Sequence, residues 1–188
     1  RDGARFATLD TKEMNAMPYI SLHTWDTATG EALLQNLLSG NDGFFRLSPD
    51  GSRIFFQAPP AGFAGGWEYD SATLTWLSYL YLINPYKGGY LFAYSPDNAR
   101  LALANTGGGV DLFALDTHQL TESLAIDSRV LAIAYHPDSI RLAVASEDGK
   151  ATIWDTRTGE MRTSLPGMFR GASAIAYSPD GQLLAIGS

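Results

Sequence analysis

The feature that most constrains the fold of this chain is a turn that recurs at nearly regular intervals. It reads Ser-Pro-Asp at residues 48–50, 95–97 and 178–180, and His-Pro-Asp at residues 136–138. The four prolines follow one another at intervals of 41 to 47 residues. Pro and Asp favour turns, because Pro fixes φ and an Asp carboxylate accepts nearby backbone N–H groups. Self-similarity at such a period indicates a repeat protein.

A second motif also recurs once in each repeat. An Asp followed by Ser or Thr ends a predicted third strand four times, and the endings are 25–26, 69–70, 115–116 and 154–155. We interpret Asp26, Asp70, Asp116 and Asp155 as turn residues at one shared structural place, where each accepts backbone N–H groups. A catalytic carboxylate would not be copied into every repeat.

Large and small apolar residues alternate five residues after three of the turn prolines. Residues 101–104 read LALA, residues 142–145 read LAVA and residues 184–187 read LAIG. Successive side chains of a strand point to opposite faces, so we predict that these strands are buried on both sides. The large face of one sheet would then interlock with the small face of the next. The sequence therefore predicts an all-β propeller of four-stranded antiparallel blades.

These residues resemble the WD40 repeat family. The resemblance rests on Trp25-Asp26, Trp154-Asp155, the Ser-Pro-Asp turns, and the Thr-x-Thr-Gly-Glu turns at 27–31 and 156–160. The repeat usually carries a Gly-His pair before the turn Pro, but residues 125–126 and 167–168 differ, so the chain resembles a divergent member. The number of predicted strands gives about four to five blades, two of them partial. The expected blade segments are 1–41, 42–85, 86–127, 128–168 and 169–188.

The turn residues also delimit the predicted strands. Residues 4–38 are expected to supply three strands, with a looser segment from Asp10 to Pro18 between the first two. The last segment has room for only two strands. We expect the chain to be a fragment of a longer propeller, with the remaining blades supplied by the rest of the protein.

Composition narrows the possible functions. The chain has 13 basic and 20 acidic side chains and a net charge of −7, which argues against a nucleic-acid partner because such binding draws on clustered Lys and Arg. There is no Cys, so disulfides and thiolate chemistry are excluded, although the compartment is not fixed. The longest apolar run, residues 77–83, is too short to span a membrane.

The sequence predicts no catalytic residue, no metal ligand and no cofactor site. The three His residues (His23, His118 and His136) are scattered, without metal-ligand spacing or a triad pattern. The glycines at 107–109 precede a predicted strand rather than a helix, so they are interpreted as a hairpin and not as a phosphate cradle.

A candidate surface for a protein partner lies in the aromatic-rich stretch from residue 63 to residue 90. Most of its aromatic residues are expected to fill the interior of a thick blade, but aromatic side chains are also common interface anchors. We single out Phe63, Trp67 and Tyr86, beside a Pro- and Gly-rich loop at residues 58–66. Tyr86, Arg129 and Arg170 enter first strands, and the resemblance implies that they lie near one rim of the ring.

The sequence therefore favours a non-catalytic protein-interaction scaffold with a protein partner. The alternative is a sensor or enzyme propeller that binds a small ligand in loops at the centre of the ring. Its key residues would lie in blades outside this chain. One propeller can host many functions, so the fold alone does not decide between the two.

Overall fold

The computed structural model describes residues 5–14, 17–39, 44–57, 65–81, 91–105, 108–165, 172 and 174–187. All of the regular structure in these ranges is β-strand, arranged in five antiparallel sheets. The chain divides into two compact units, residues 1–81 and residues 82–188. The predicted all-β class and the four-stranded antiparallel sheets are confirmed.

The first unit contains two sheets. Sheet A has the strand order β1-β2-β3, and sheet B has the order β4-β5-β6-β7. The strands are β1 (Arg5–Met14), β2 (Met17–Asp26), β3 (Ala32–Ser39), β4 (Phe44–Leu47), β5 (Arg53–Gln57), β6 (Gly65–Asp70) and β7 (Trp76–Tyr81). One apolar face of sheet B, centred on Ile54 and Phe56, packs against Ala7 of sheet A.

The prediction of a looser segment from Asp10 to Pro18 is wrong. The strands β1 and β2 form one long hairpin, in which Asp10 pairs with Ser21 and Glu13 pairs with Pro18. The polar residues in this stretch gave no apolar alternation, but a β-ladder is held by backbone hydrogen bonds and tolerates polar side chains. Pro18 lies next to the end of its strand, where a missing N–H group is tolerated.

The second unit contains three sheets. Sheet C has the order β11-β10-β9-β8, sheet D the order β12-β13-β14-β15, and sheet E pairs β16 with β17. The strands are β8 (Phe92–Tyr94), β9 (Arg100–Asn105), β10 (Gly109–Ala114), β11 (Leu120–Ala125), β12 (Val130–Tyr135), β13 (Arg141–Ser146), β14 (Ala151–Asp155), β15 (Met161–Leu165), β16 (Ala174–Tyr177) and β17 (Leu184–Gly187).

The predicted interlocking of large and small faces is confirmed in the second unit. Leu142 and Val144 of sheet D pack into a cluster with Ala102 and Ala104 of sheet C. The small face of sheet D, which includes Ala132 and Ala145, is covered in turn by isoleucines of sheet E. Residues 101–104 and 142–145 are all buried, as predicted for strands covered on both sides.

The same prediction is wrong for the last copy, residues 184–187. Ile186 packs toward sheet D, but Ala185 and Gly187 are exposed, and so are Ala174 and Ala176 of the paired strand. The alternation of large and small residues is the same as in the other copies. Burial differs because, among the residues that the structure describes, no sheet covers the small face of sheet E.

Candidate interaction surface

The Ser-Pro-Asp turns are closed by their own side chains. In all three, the Ser hydroxyl donates to the Asp carboxylate two residues later at 2.5–2.6 Å and accepts the N–H group five residues later at 2.9 Å. Burial raises the pKa of Asp50, but hydrogen bonds from Ser48 and Ser52 lower it by more, and the net shift of the pKa is downward. The Asp50 carboxylate is therefore engaged as an ionised acceptor inside its turn.

His136 replaces Ser in the fourth copy of this turn and links two sheets. Its Nδ1 accepts the N–H group of Asp138 at 3.0 Å, and its Nε2 lies 3.0 Å from the carbonyl oxygen of Gly181 in the turn of sheet E. The imidazole stands edge-on to Tyr177, with ring centroids 4.8 Å apart. His136 is buried, so its role is in packing and turn closure.

Three of the four recurrent Asp residues occupy the predicted place. The Asp26 carboxylate accepts the N–H groups of Ala28 and Thr29, both at 2.8 Å. Asp70 does the same for the residues two and three positions later, at 3.0 and 2.8 Å. Asp155 accepts the N–H group of Arg157 at 2.9 Å. The interpretation of these three as turn residues is confirmed.

Asp155 carries an additional charge network. The guanidinium groups of Arg157 and Arg162 both bind its carboxylate. They hold the pKa of Asp155 well below its usual range. The turn between β14 and β15 is therefore fixed by backbone and ionic contacts to a single buried carboxylate.

The prediction that Asp116 shares this structural place is wrong, although Asp116 lies in the turn and accepts a backbone N–H group. In the other sheets, the N–H group of the recurrent Asp donates to the carbonyl five residues later, and in sheet C the residue that does so is Ala114. Asp116 lies two residues further on, is exposed, and accepts the N–H group of Thr117 at 2.7 Å. The counterpart of Trp154-Asp155 is thus Phe113-Ala114. The Asp-Thr dipeptide falls inside the turn by coincidence, which displaced the predicted strand ending by two residues.

This difference predicts unequal effects of removing the two carboxylates. We expect Asp155→Ala to lower the free energy of unfolding by about 1–2 kcal/mol, because backbone and guanidinium donors lose their acceptor. Asp116→Ala is the matched control and should change it by less than about 0.5 kcal/mol. Urea denaturation of both variants measures the difference. Equal effects would contradict the assignment of the two positions.

The residue after the recurrent Asp joins the two turns of its own sheet. The hydroxyl of Thr156 donates to the carbonyl of Ile140 at 2.9 Å, and the hydroxyl of Ser71 donates to the carbonyl of Gly51 at 2.5 Å. The Pro-Asp turn and the Asp-Ser/Thr turn therefore lie at the same end of the strands in each of these sheets. The sequence indicated the hydroxyl residues but not the partners of their hydrogen bonds.

Two of the five candidate surface residues are described by the structure. Trp67 is half-buried, and its ring centroid lies 6.0 Å from that of Phe56 and 5.3 Å from that of Tyr79. Arg129 is exposed, and its carbonyl oxygen accepts the N–H group of Glu147 at 2.8 Å. Trp67 belongs to the first unit and Arg129 to the second. Phe63, Tyr86 and Arg170 lie outside the described residues.

A set of exposed apolar residues was not singled out from the sequence. The outer strand of each four-stranded sheet begins with an apolar residue paired to an aromatic one, and the pairs are Trp76 with Tyr69, Leu120 with Phe113, and Met161 with Trp154. The exposed fractions of Trp76, Leu120 and Met161 are 62%, 37% and 52%. We call these three the outer-strand residues. The signal that could have found them is their position six residues after the end of the third strand.

The comparison with known proteins agrees with this geometry. Residues 92–170 match the family model described as the anaphase-promoting complex subunit 4 WD40 domain. The resemblance to WD40 repeats is confirmed. No curated protein matches the sequence of this chain. WD40 domains commonly serve protein interactions and are typically non-catalytic.

A solved structure supports the WD40-like fold. The hydrazine synthase of Kuenenia stuttgartiensis superposes with a TM-score of 0.67 at 22% sequence identity, and the match covers 76% of this chain and 40% of that chain. This chain thus spans about two fifths of the neighbour it matches. At this identity the likeness shows the fold alone, and the activity of hydrazine synthase remains a statement about that protein.

Within the described part of this WD40-like chain, no group of three His, Asp or Glu residues is placed to hold a metal ion. No helix in those residues is long and apolar enough to cross a membrane. The most exposed large apolar side chains of the four-stranded sheets lie on their outer strands.

Proposed function

We propose that this chain is a non-catalytic, WD40-like scaffold that binds a protein partner. The observation that carries the proposal is the exposure of the outer-strand residues. Trp76, Leu120 and Met161 occupy the same register position in three sheets and expose large apolar side chains to solvent. Large exposed apolar and aromatic side chains are typical anchors of protein interfaces.

The recurrent carboxylates support a scaffold rather than an enzyme. Asp26, Asp70 and Asp155 each accept backbone N–H groups of their own turn. The pKa of Asp155 is held well below its usual range, so this carboxylate is poorly suited to proton transfer at neutral pH, since catalysis favours groups whose pKa lies near the working pH. Trp67 and Arg129 stay in the proposal as further candidate contacts, together with Phe63, Tyr86 and Arg170.

Affinity capture with the full-length protein tests the proposal. A scaffold should retain a stable protein partner, and combined alanine substitution of Trp76, Leu120 and Met161 should reduce the retained amount at least tenfold without unfolding the protein. The absence of a retained partner, together with stabilisation by a small molecule, would support the ligand-sensor alternative. If no partner is retained, while a small molecule raises the melting temperature, the scaffold proposal is wrong.

A further inference from the structure

The turn between β14 and β15 of sheet D carries an arginine at a place where the turns of sheets A, B and C have none. Arg157 follows Asp155 by two residues, and its backbone N–H group donates to the Asp155 carboxylate. In sheets A and B the same place holds Ala28 and Ala72, whose N–H groups make the same hydrogen bond. In sheet C it holds Asp116. Closure of this turn therefore does not require a guanidinium group here.

A second arginine reaches the same carboxylate through a β-bulge. A register shift between β14 and β15 leaves Arg162 as the extra residue of the outer strand, and a bulge redirects the side chain of such a residue. Nη2 of Arg162 binds Oδ2 of Asp155. The corresponding extra residues of β7 and β11 are Leu77 and Thr121, so the bulge itself does not require an arginine. We call Arg157 and Arg162 the arginine pair.

The arginine pair is held from inside the turn and exposed on the outside. Nη2 of Arg157 lies 3.2 Å from Oδ2 of Asp155, the same oxygen that Arg162 binds. The Asp155 side chain is buried, whereas the exposed fractions of Arg157 and Arg162 are 53% and 45%. Each guanidinium group has five N–H donors, and no acceptor in the described part of the chain binds Nη1 of either arginine. Both arginines therefore keep donors for a ligand.

The arginine pair is a local positive site on an acidic chain. Two guanidinium groups share one carboxylate, so one positive charge is left over. The adjacent ion pair of Asp138 and Arg141, with 2.7 Å between its atoms, adds no net charge. Among the described residues, Glu160 forms no ion pair with either guanidinium group. Since the chain has a net charge of −7, this site is the exception to its overall field.

The chemistry of the site favours a phosphorylated side chain as its ligand. Guanidinium groups bind phosphoryl oxygens through charge-assisted hydrogen bonds, and a phosphorylated Ser or Thr carries up to about two negative charges on three acceptor oxygens. A nucleic-acid backbone would bring many phosphates against a chain of net charge −7. Met161 directly precedes Arg162 and has an exposed fraction of 52%, so an apolar anchor lies beside the charged site.

We propose that Arg157 and Arg162 bind a phosphorylated Ser or Thr residue of a partner protein, and that Met161 contacts an apolar residue next to it. Asp155 is the positioning residue, because it holds both guanidinium groups toward one place. This inference rests on the proposed scaffold function, and it names the site and the chemistry of the partner.

Binding of a defined phosphopeptide tests the inference. The probe is a short peptide with one phosphoserine between two leucines and glycine elsewhere, measured by fluorescence anisotropy on the full-length protein. The same peptide without the phosphate should bind at least tenfold more weakly, because the charge-assisted hydrogen bonds are lost. A peptide with Glu in place of phosphoserine should bind at least threefold more weakly, because a carboxylate carries less charge and fewer acceptor oxygens.

Protein variants locate the site. Arg157→Ala and Arg162→Thr give sheet D the residues that sheets B and C hold at these places, so both variants should fold. Each should weaken binding of the phosphopeptide at least fivefold and leave binding of the unphosphorylated peptide unchanged. Lys150→Ala is the matched control, because Lys150 also pairs with an Asp but lies at the opposite end of sheet D, and it should change affinity less than twofold.

Several results would overturn the inference. These are the absence of binding up to about 1 mM phosphopeptide, equal binding of the unphosphorylated peptide, or an equal loss in Lys150→Ala. The two peptides are compared on the unaltered protein, so this comparison decides the question even if a variant unfolds. If inorganic phosphate or a single-stranded oligonucleotide binds more tightly than the phosphopeptide, the site takes a different anion and the inference is wrong.

Capture from the full-length protein separates the site from the scaffold. Phosphatase treatment of the captured partner, or the combined Arg157→Ala and Arg162→Thr substitutions, should reduce the retained amount at least tenfold. If the partner is retained undiminished in both cases, the scaffold stands and the arginine site falls. If no partner is captured, the scaffold proposal falls, and the comparison of the two peptides alone decides whether the arginine pair binds a phosphorylated residue.

Discussion

Replacing Gly181 by Ala is expected to lower the free energy of unfolding by about 2–4 kcal/mol. Gly181 has a φ of +73°, a region that is strained for residues with a Cβ. A Cβ at this position would also overlap the imidazole of His136, which packs against the turn. Both costs fall on the contact between sheets D and E. Urea denaturation followed by tryptophan fluorescence measures the loss.

Gly51→Ala is the matched control for this experiment. Gly51 holds the same place in its own turn with a φ of +74°, but no atom lies within 4 Å of the point where a Cβ would stand. We expect this variant to lose only about 1 kcal/mol, since it meets backbone strain without overlap. Equal losses for Gly51→Ala and Gly181→Ala would show that the overlap with His136 adds nothing to the cost of the Gly181 substitution.

Leu142→Ala is expected to lower the free energy of unfolding by about 2–5 kcal/mol. Leu142 is completely buried and belongs to the cluster that joins sheets C and D. Truncation removes apolar contacts and leaves a cavity between two sheets that cannot fully close around it. The measurement is again urea denaturation, and the slope of the transition shows whether cooperativity is retained.

The control for Leu142→Ala is Leu183→Ala. Leu183 precedes the corresponding strand of sheet E and has an exposed fraction of 71%. Its truncation should change the free energy of unfolding by less than about 0.5 kcal/mol. A loss below about 1 kcal/mol for Leu142→Ala would contradict the assignment of this residue to a tightly packed inter-sheet core.

The repeat could be predicted from the sequence because its turns use residues with strong local preferences. Pro49, Pro96, Pro137 and Pro179 mark the first hairpin of successive sheets, and the strands after them lie as predicted. The interlocking of the large and small faces also followed, because alternation in a strand assigns each residue to a face without further information. The family resemblance rests on these same local signals.

Register was harder to predict, because it depends on pairing rather than on local preference. The β-bulge between the third and fourth strands shifts the outer strand by one residue, and no single residue type marks it. In sheet C an Ala occupies the turn position that Asp holds elsewhere, so Asp116 gave a stronger local signal than Ala114, the residue that ends the strand.

The candidate surface was only partly predictable for a similar reason. The sequence identified an aromatic-rich stretch, but aromatic content does not tell which rings face the interior. In the structure Trp67 and Tyr79 pack against each other, whereas Trp76, nine residues after Trp67, is mostly exposed. The exposure of a residue depends on which neighbouring elements cover it, and the sequence of one strand does not specify those neighbours.

The complementary faces of the sheets have a consequence for how such a chain can grow. The large face of sheet D fits the small face of sheet C, and sheet E repeats the same relation to sheet D. A unit with this property fits a copy of itself, so a duplicated gene segment yields a new sheet that already matches both neighbours. The exception is the contact between His136 and Gly181, because a Cβ at position 181 would overlap the imidazole. Duplication would therefore be easiest between sheets C and D and most restricted between sheets D and E.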